Sequence, residues 1–260
     1  MSRDLVDAAL DLLLGGCCAG CGRAGRALCE GCDAALPTRA RPAWPTPVPS
    51  GLAPPWAADE YAGTVRALVL AHKEQRVLSL RRPLARLLVL AVAAAVPVDE
   101  TVVLVPVPSR PSTVRARGHD PTAAVTRSAA GMLRAAGLDA LAVPLLRTRP
   151  GLQDQSGLGA EARARNLDGS LRCPAPALRR LARLRPAARL VVCDDVITTG
   201  ATAREAQRAL EAVGLPVAAV AAVAATRRTR APRDGGNRAD DAGAEAGAGP
   251  LPLSSSGPTD

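Results

Sequence analysis

The chain has 260 residues, of which 48% are hydrophobic, so it can form a full α/β domain with a buried core and is too apolar to be disordered as a whole. Aromatic residues make up only 1% and phenylalanine is absent, so the core must be built from leucine, valine and alanine. The net charge of +9 comes almost entirely from arginine, since Lys73 is the only lysine; it indicates either a codon bias toward arginine or an anionic partner, such as a phosphorylated substrate or a nucleic acid.

The N-terminal residues do not have the form of a secretory signal, because Asp4, Asp7 and Asp11 interrupt their apolar positions. The longest apolar run, residues 87–98, is too short to span a bilayer. We therefore expect a cytoplasmic protein without membrane insertion. Cysteines stay reduced in that compartment, so clustered cysteines are expected to be metal ligands rather than disulfides.

The first predicted unit, residues 1–36, combines a helix at residues 5–14 with a cluster of cysteines. Two Cys-x-x-Cys pairs supply four thiolates, from Cys18, Cys21, Cys29 and Cys32. Four thiolates make a closed tetrahedral site, so we expect a structural Zn²⁺ in a small zinc-ribbon-like domain. Cys17 can take the place of Cys18, and the alternative of cysteines clustered by chance does not account for the paired spacing.

A proline-rich stretch, residues 37–58, is predicted to be an extended linker to a second domain, residues 59–229. Helical patterns alternate there with apolar β-branched runs, which predicts an α/β fold with a parallel sheet and helices on both faces. The predicted helices cover residues 61–72, 80–96, 122–137 and 202–213, and the predicted strands cover residues 101–107, 141–146, 189–193 and 216–224. The arginine-rich stretch at residues 147–169 is long for a compact domain and indicates a functional loop. Residues 230–260 have the composition of a disordered tail.

The strongest functional signal follows the predicted strand at residues 189–193. Asp194 and Asp195 come directly after it, and a small, hydroxyl-rich turn then opens a helix, with residues Thr198, Thr199, Gly200, Ala201 and Thr202. Backbone N–H groups at the start of a helix bind anions, and Gly200 would let a phosphate approach the backbone. Carboxylates accept hydrogen bonds from the two hydroxyls of a ribose. The pattern therefore predicts a ribose 5-phosphate site; an ordinary helix N-cap is the alternative, and it leaves the paired carboxylates unexplained.

Residues 191–202 resemble the 5-phosphoribosyl-1-pyrophosphate (PRPP) signature of type I phosphoribosyltransferases. Together with the Cys-x-x-Cys pairs, this loop makes residues 12–228 resemble the ComF family, named for a competence protein in DNA uptake. Further matching residues are Tyr61, Lys73, the strand end at residues 105–108, Arg117, Gly118, residues 155–158, Glu161, Arg163 and Asn166. The family usually reads Arg-Gly-Phe-Asn-Gln where this chain has Arg117, Gly118, His119, Asp120 and Pro121.

The resemblance implies a type I phosphoribosyltransferase fold that binds PRPP together with Mg²⁺. Asp194 and Asp195 would hold the ribose hydroxyls, and residues 198–202 would hold the 5-phosphate. The pyrophosphate loop would consist of Val107, Pro108, Ser109 and Arg110. The loop at residues 147–166 would close over the site.

Two functions remain open at this point. One is a protein that binds PRPP or a ribose 5-phosphate compound in DNA uptake and contacts single-stranded DNA or a DNA-processing protein, although few aromatic side chains are present to stack bases. The other is an active phosphoribosyltransferase, a glycosyltransferase acting on an unidentified acceptor, for which the sequence shows no general base. Lys73 is either a surface residue or a phosphate contact, and His119 is expected to be a solvent-exposed loop residue rather than a catalytic one.

Overall fold

The computed structural model describes residues 16–97, 100–109, 111–149, 169–184 and 187–226. The strands are β1 (Arg41–Pro42), β2 (Pro55–Glu60), β3 (Val102–Pro106), β4 (Ala140–Ala142), β5 (Arg147–Thr148), β6 (Leu171–Arg172), β7 (Arg189–Ile197) and β8 (Val217–Ala225). The helices are α1 (Glu30–Ala34), α2 (Gly63–Glu74), α3 (Arg81–Ala95), α4 (Pro111–Arg117), α5 (Pro121–Ala135), α6 (Ala175–Leu184) and α7 (Ala201–Glu211), and a 3-10 turn (Leu78–Leu80) precedes α3.

The central sheet has the strand order β1-β2-β8-β7-β3-β4. Strands β2, β8, β7, β3 and β4 are parallel, and β1 pairs antiparallel with β2 at one edge. This confirms the predicted α/β architecture with a mostly parallel sheet flanked by helices. Among the described residues, no helix is long and apolar enough to cross a membrane.

Apolar cores cover both faces of the sheet, and alternate residues of β7 contribute to them. Val191 and Cys193 belong to the core formed with α2, α3 and α5, whereas Leu190 and Val192 belong to the core formed with α6 and α7. Successive side chains of a strand point to opposite faces, so this alternation follows from the strand itself. Leucine, valine and alanine fill both cores, as the composition predicts.

Two connections leave neighbouring strands in opposite directions. β3 connects through α5 to β4 on one side, and β7 connects through α7 to β8 on the other, with the two helices on opposite faces of the sheet. Right-handed crossovers require this arrangement. The loops after β3 and β7 therefore diverge, and they leave a crevice at the carboxyl ends of these strands, where open α/β sheets bind ligands.

The four predicted helices form within two residues of the predicted bounds, but two strands differ. The strand predicted at residues 141–146 is only Ala140–Ala142. The strand predicted at residues 189–193 continues to Ile197, because β8 supplies pairing partners as far as Ala225. The short helices α1, α4 and α6 were not predicted.

The proline-rich stretch predicted as a linker is in part built into the second domain. Residues 55–58 form the first part of β2, which pairs with β8 from Pro55 onward. Proline is tolerated there because it is the first residue of the strand. Leu52 and Ala53 are buried beside α7. The domain boundary at residue 59 therefore falls inside a strand of the sheet, whereas the helix at residues 5–14 and the tail at residues 230–260 lie outside the described residues.

Candidate functional site

Asp194 and Asp195 lie within the last part of β7, which extends beyond the end of β3. Pro106, the last residue of β3, pairs with Cys193, so residues 194–197 have a strand neighbour only on the β8 side. The backbone N–H of Asp195 donates to Asp194 Oδ1 over 2.8 Å. Both carboxylates therefore stand at the crevice between β3 and β7.

Asp195 points to the face of the sheet that α2 covers, and there it forms an ion pair with Lys73. The side chain of Asp195 is 19% exposed and that of Lys73 is 34% exposed. Lys73 follows His72 in the last turn of α2, where a cation also interacts favourably with the helix dipole. The structure thus brings Lys73, expected to be either a surface residue or a phosphate contact, beside Asp195.

Asp194 is destabilised as a carboxylate in the absence of ligand. Removal from water raises the pKa of Asp194 well above its ordinary value, and the neighbouring Asp195 carboxylate raises it further. Lys73 and the backbone N–H of Asp195 oppose this rise without overcoming it. Strongly perturbed carboxyl groups in a crevice are a feature of functional sites.

A small cavity lies behind the two carboxylates and is lined by His72, Thr122 and Thr126 as well as by apolar side chains. His72 is only 2% exposed, and its Nδ1 donates to the carbonyl of Val77 over 3.2 Å. Its Nε2 is buried without a hydrogen-bond partner among the described residues. The cavity volume of about 10 Å³ suits one water molecule and no larger ligand.

The turn between β7 and α7 has the features of an anion site. Gly200 adopts a left-handed conformation with φ of 73°, and α7 begins at the next residue. Gly200 has no side chain that could cap the helix, and the first turn of α7 contains no acidic residue. The backbone N–H of Ala201 donates to Thr199 Oγ1 over 3.4 Å. The positive end of the 11-residue helix α7 is therefore not neutralised by an acidic side chain in its first turn.

Gly200 was predicted to let a phosphate approach the backbone, but its surroundings differ from that expectation. A Cβ atom built there would lie 2.9 Å from Pro45 Cγ and 3.2 Å from Leu52 Cδ2. The space of the missing side chain is therefore occupied by the chain itself, and it does not open the backbone to a phosphate. An anion would have to approach the N–H groups of the next residues, Thr202 and Ala201, of which that of Ala201 already donates a long hydrogen bond to Thr199.

The predicted pyrophosphate loop follows β3 on the other side of the crevice. The N–H of Val107 donates to the carbonyl of Cys193 over 2.8 Å, which holds the loop beside β7. Ser109 donates to the carboxylate of Asp120 through its N–H, over 3.3 Å, and through its hydroxyl, over 3.2 Å. Pro108 lies between them, and Arg110 is outside the described residues.

Asp120 has a structural role at the start of α5. Its Oδ1 accepts the N–H of Ala123 over 3.1 Å, so Asp120 is the N-cap of α5, and Pro121 is the first residue of that helix. Aspartate is a strong N-cap, and proline is favoured at the first helical position. The link between Asp120 and Ser109 was missed from the sequence, although the Asp-Pro pair before a helical pattern was a readable signal for the cap.

The predicted closing loop begins and ends in a two-stranded hairpin. Strands β5 and β6 pair antiparallel, and residues 150–168 between them lie outside the described residues. Glu205 of α7 accepts the N–H of Leu171 over 2.8 Å, and Arg208 donates to Glu205. Burial raises the pKa of Glu205, but these hydrogen bonds outweigh it and lower the pKa below its ordinary value. Helix α7, which follows the candidate anion-binding turn, thus also holds the base of this hairpin.

The four predicted metal ligands come together at the N-terminal end of the described chain. The sulfur atoms of Cys18, Cys21, Cys29 and Cys32 all lie within 4.8 Å of one another, and the Cys21 and Cys29 sulfurs are 3.7 Å apart. Zn–S bonds of about 2.3 Å in a tetrahedron place sulfur atoms about 3.8 Å apart. The cluster can therefore hold a metal ion. Cys17 is exposed and is not part of it.

The surroundings of the cysteines favour a bound cation. Burial raises the pKa of Cys18, but backbone N–H groups, including that of Cys29, outweigh it and lower the pKa to about 6. The neighbouring thiols raise the pKa of Cys32 to about 12. A dication would stabilise all four thiolates together. The cluster is tied to the second domain by an ion pair between Asp33 of α1 and Arg86 of α3.

Comparisons with protein-family models and with curated proteins found no match for this chain.

Proposed function

We propose that this protein binds PRPP or another ribose 5-phosphate compound at the crevice between β3 and β7. The observation that carries this proposal is the juxtaposition of two carboxylates, Asp194 and Asp195, with the unneutralised start of α7 at the point where the sheet connections diverge. This position is the one that open α/β sheets use for ligands. The two carboxylates are negative, and the start of α7, one short turn later, is positive. This arrangement suits a ligand whose diol meets the carboxylates and whose phosphate meets the helix start.

Each part of the ligand has a chemical counterpart in the site. The carboxylates of Asp194 and Asp195 accept hydrogen bonds from the ribose hydroxyls. The N–H groups of Ala201 and Thr202 and the hydroxyls of Thr198 and Thr202 donate to the 5-phosphate. The loop at residues 107–110 faces the pyrophosphate. Mg²⁺ would accompany PRPP, because it binds phosphate oxygens and keeps several water ligands.

Lys73 stabilises the carboxyl groups of the site. Its ammonium group pairs with Asp195, and the resulting neutralisation limits the repulsion between the two adjacent carboxylates. Hydrogen bonds from a ribose diol, or a nearby Mg²⁺, would stabilise the same negative charges when the ligand is bound. Binding is therefore expected to lower the pKa of Asp194 and to release a proton in the pH range where that carboxyl is protonated.

The four-cysteine cluster is proposed to hold one structural Zn²⁺. Four thiolates leave no open coordination position, so the metal stabilises the fold and takes no part in chemistry. The sulfur separations support zinc, and so does the N–H of Cys29, which donates to Cys18 Sγ over 3.4 Å and would help to orient this thiolate toward the metal.

The biological setting is proposed from the ComF resemblance. The proposed setting is DNA uptake in the cytoplasm, with single-stranded DNA or a DNA-processing protein as partner. The second candidate is a phosphoribosyltransferase that transfers ribose 5-phosphate from PRPP to an unidentified acceptor. Asp195 favours this candidate, because its carboxylate beside the ribose would stabilise positive charge as pyrophosphate departs.

Calorimetric titration with PRPP and Mg²⁺ tests the proposal. The parent protein is expected to bind, and Asp195→Asn is expected to weaken binding about tenfold or more while the protein stays folded. Asp59→Asn removes a carboxylate on β2, two strands from Asp195 at the same end of the sheet; it is the matched control and is expected to bind as the parent does. Absence of PRPP binding to the parent would overturn the proposal, and release of pyrophosphate with an added nucleobase or amine would favour the transferase.

A further inference from the structure

The segment at residues 43–53, here called the proline strap, lies against the candidate phosphate turn and the first half of α7. Leu52 and Ala53 are buried in the core on this face of the sheet, and Pro45 is buried as well. Trp44 and Val48 are on its outer side, both about half exposed. The strap was predicted as part of a linker, so nothing in the sequence pattern associates it with the site.

Three strap side chains close over Gly200. A Cβ atom at Gly200 would lie 2.9 Å from Pro45 Cγ, 3.2 Å from Leu52 Cδ2 and 3.3 Å from Pro49 Cγ. Contacts below 3.0 Å do not occur for real Cβ atoms, and proline rings cannot swing aside as a flexible side chain can. The strap therefore leaves room only for glycine at the one position of the turn that also requires a left-handed backbone, with φ of 73°.

Gln207 of α7 joins the strap to the helix by hydrogen bonds. The N–H of Ala53 donates to Gln207 Oε1 over 2.9 Å, and Gln207 Nε2 donates to the carbonyl of Gly51 over 2.9 Å. The side chain also donates to Glu211 over 2.7 Å, and Gln207 is only 5% exposed. A buried amide that satisfies two strap backbone groups is costly to remove, because those groups would lose their partners. Arg204 adds a further bond to the carbonyl of Ser50 over 2.9 Å.

We infer that the proline strap is a positioning element of the phosphate turn and that Gln207 is its positioning residue. The strap and Gln207 fix both the left-handed residue and the first two turns of α7, so the N–H groups that would meet a phosphate are already ordered before it arrives. Preorganisation of this kind raises affinity by lowering the ordering cost of binding. The effect on ligand affinity rests on the proposed function, whereas the mechanical link between the strap and the turn does not.

The first experiment measures affinity for ribose 5-phosphate by calorimetry. Gln207→Met keeps the length of the side chain and removes its hydrogen bonds to the strap, and it is expected to weaken binding about tenfold. Arg134→Met in α5 is the matched control: it removes a 2.7 Å hydrogen bond to the carbonyl of Ala140, far along the chain from the strap, and should leave affinity unchanged even if it lowers the melting temperature. Equal affinities of the parent and Gln207→Met would overturn the inference.

The second experiment needs no ligand and also serves if Gln207→Met does not fold. The melting temperatures of Gly200→Ala, Pro45→Ala and the double variant form a double-mutant cycle. Gly200→Ala is expected to lower the melting temperature for two reasons: the new Cβ clashes with the Pro45 ring, and alanine is strained in the left-handed backbone conformation. Adding Pro45→Ala relieves the clash but not the backbone strain. The loss in the double variant should therefore be smaller than the sum of the single losses.

The two experiments separate the inference from the proposed function. If the parent protein does not bind ribose 5-phosphate but the cycle shows coupling, the proposed function fails and the positioning of the turn by the strap stands. If the two substitutions are additive, the strap does not set the conformation at Gly200, and the inference is wrong whatever the protein binds.

Discussion

Lys73 at the end of α2 forms an ion pair with Asp195 near the end of β7, 122 residues later in the chain. The pair joins the helix layer to the carboxyl end of the sheet, where the second carboxyl group, Asp194, is held in an unfavourable setting. The positive charge of Lys73 thus offsets the negative charge of Asp195 within the protein itself. The balance leads to two predictions about stability that do not require the ligand to be known.

Lys73→Met is expected to lower the stability of the ligand-free protein. The pair is partly exposed, so the loss should be about 0.5–1 kcal/mol, which corresponds to a fall in melting temperature of about 1–4 °C for a domain of this size. The loss should be larger at pH 8 than at pH 5, because Lys73 lowers the pKa of Asp194 and its absence makes ionisation of that carboxyl more costly. Thermal unfolding at the two pH values checks this. Arg41→Met, which removes an exposed ion pair with Asp59, is the control and should show no such pH dependence.

Asp194→Asn is expected to stabilise the ligand-free protein at neutral pH. The folded-state pKa of Asp194 lies above its unfolded value of about 3.9, so the folded state loses stability as the pH rises from about 4 through the raised pKa. Asparagine does not ionise and still accepts the N–H of Asp195. The gain in melting temperature over the parent should therefore grow between pH 4.5 and pH 8. Asp195→Asn breaks the ion pair with Lys73 and should give no such gain; equal behaviour of the two variants would contradict the charge assignment.

Asp120→Ala is expected to destabilise the protein by about 0.5–2 kcal/mol, because it removes the N-cap of α5. It also releases Ser109 in the predicted pyrophosphate loop. Asparagine is an equally good N-cap, so the melting temperature of Asp120→Asn should stay close to that of the parent. Chemical denaturation of the two variants provides the comparison, and a large loss in Asp120→Asn would show that the charge rather than the cap matters.

Cys29→Ser is expected to abolish stoichiometric metal binding and to expose the N-terminal unit to proteolysis. Elemental analysis of the parent, purified under reducing conditions without a chelator, should give about one zinc per chain. Cys17→Ser is the matched control and should retain the zinc, because Cys17 is adjacent in sequence but outside the cluster. Metal-free parent protein, or loss of zinc in Cys17→Ser alone, would refute the assignment of the ligands.

The sequence predicted those features that depend on short-range patterns. The Cys-x-x-Cys spacing was enough to identify the ligand cluster, and the apolar runs were enough to identify the parallel sheet. The start of α7 was predicted because its signal lies in consecutive residues, whereas binding of a phosphate at this turn stays a prediction. Asp194 and Asp195 were placed after the strand rather than in it, because strand length depends on the partner strand β8.

Features that depend on tertiary contacts could not be predicted. Proline content indicated a linker at residues 37–58, yet the buried amide of Gln207 satisfies the strap backbone and fixes it to α7. The burial of His72 beside the carboxylates likewise has no local signature, since a histidine near the end of an amphipathic helix is ordinarily solvated. The role of Gly200 was misjudged for the same reason, because only the fold places Pro45 against it.

The most direct test of the central claim is a titration of the amide resonances of the parent protein with ribose 5-phosphate, followed by nuclear magnetic resonance. The N–H signals of Ala201, Thr202 and Asp195 are expected to shift together and saturate, whereas those of the four-cysteine cluster should not move. Asp195→Asn should reduce the affinity and leave the spectrum of the fold intact. Absence of any shift at the start of α7, or saturating shifts confined to another part of the chain, would contradict the claim that this turn binds a ribose phosphate.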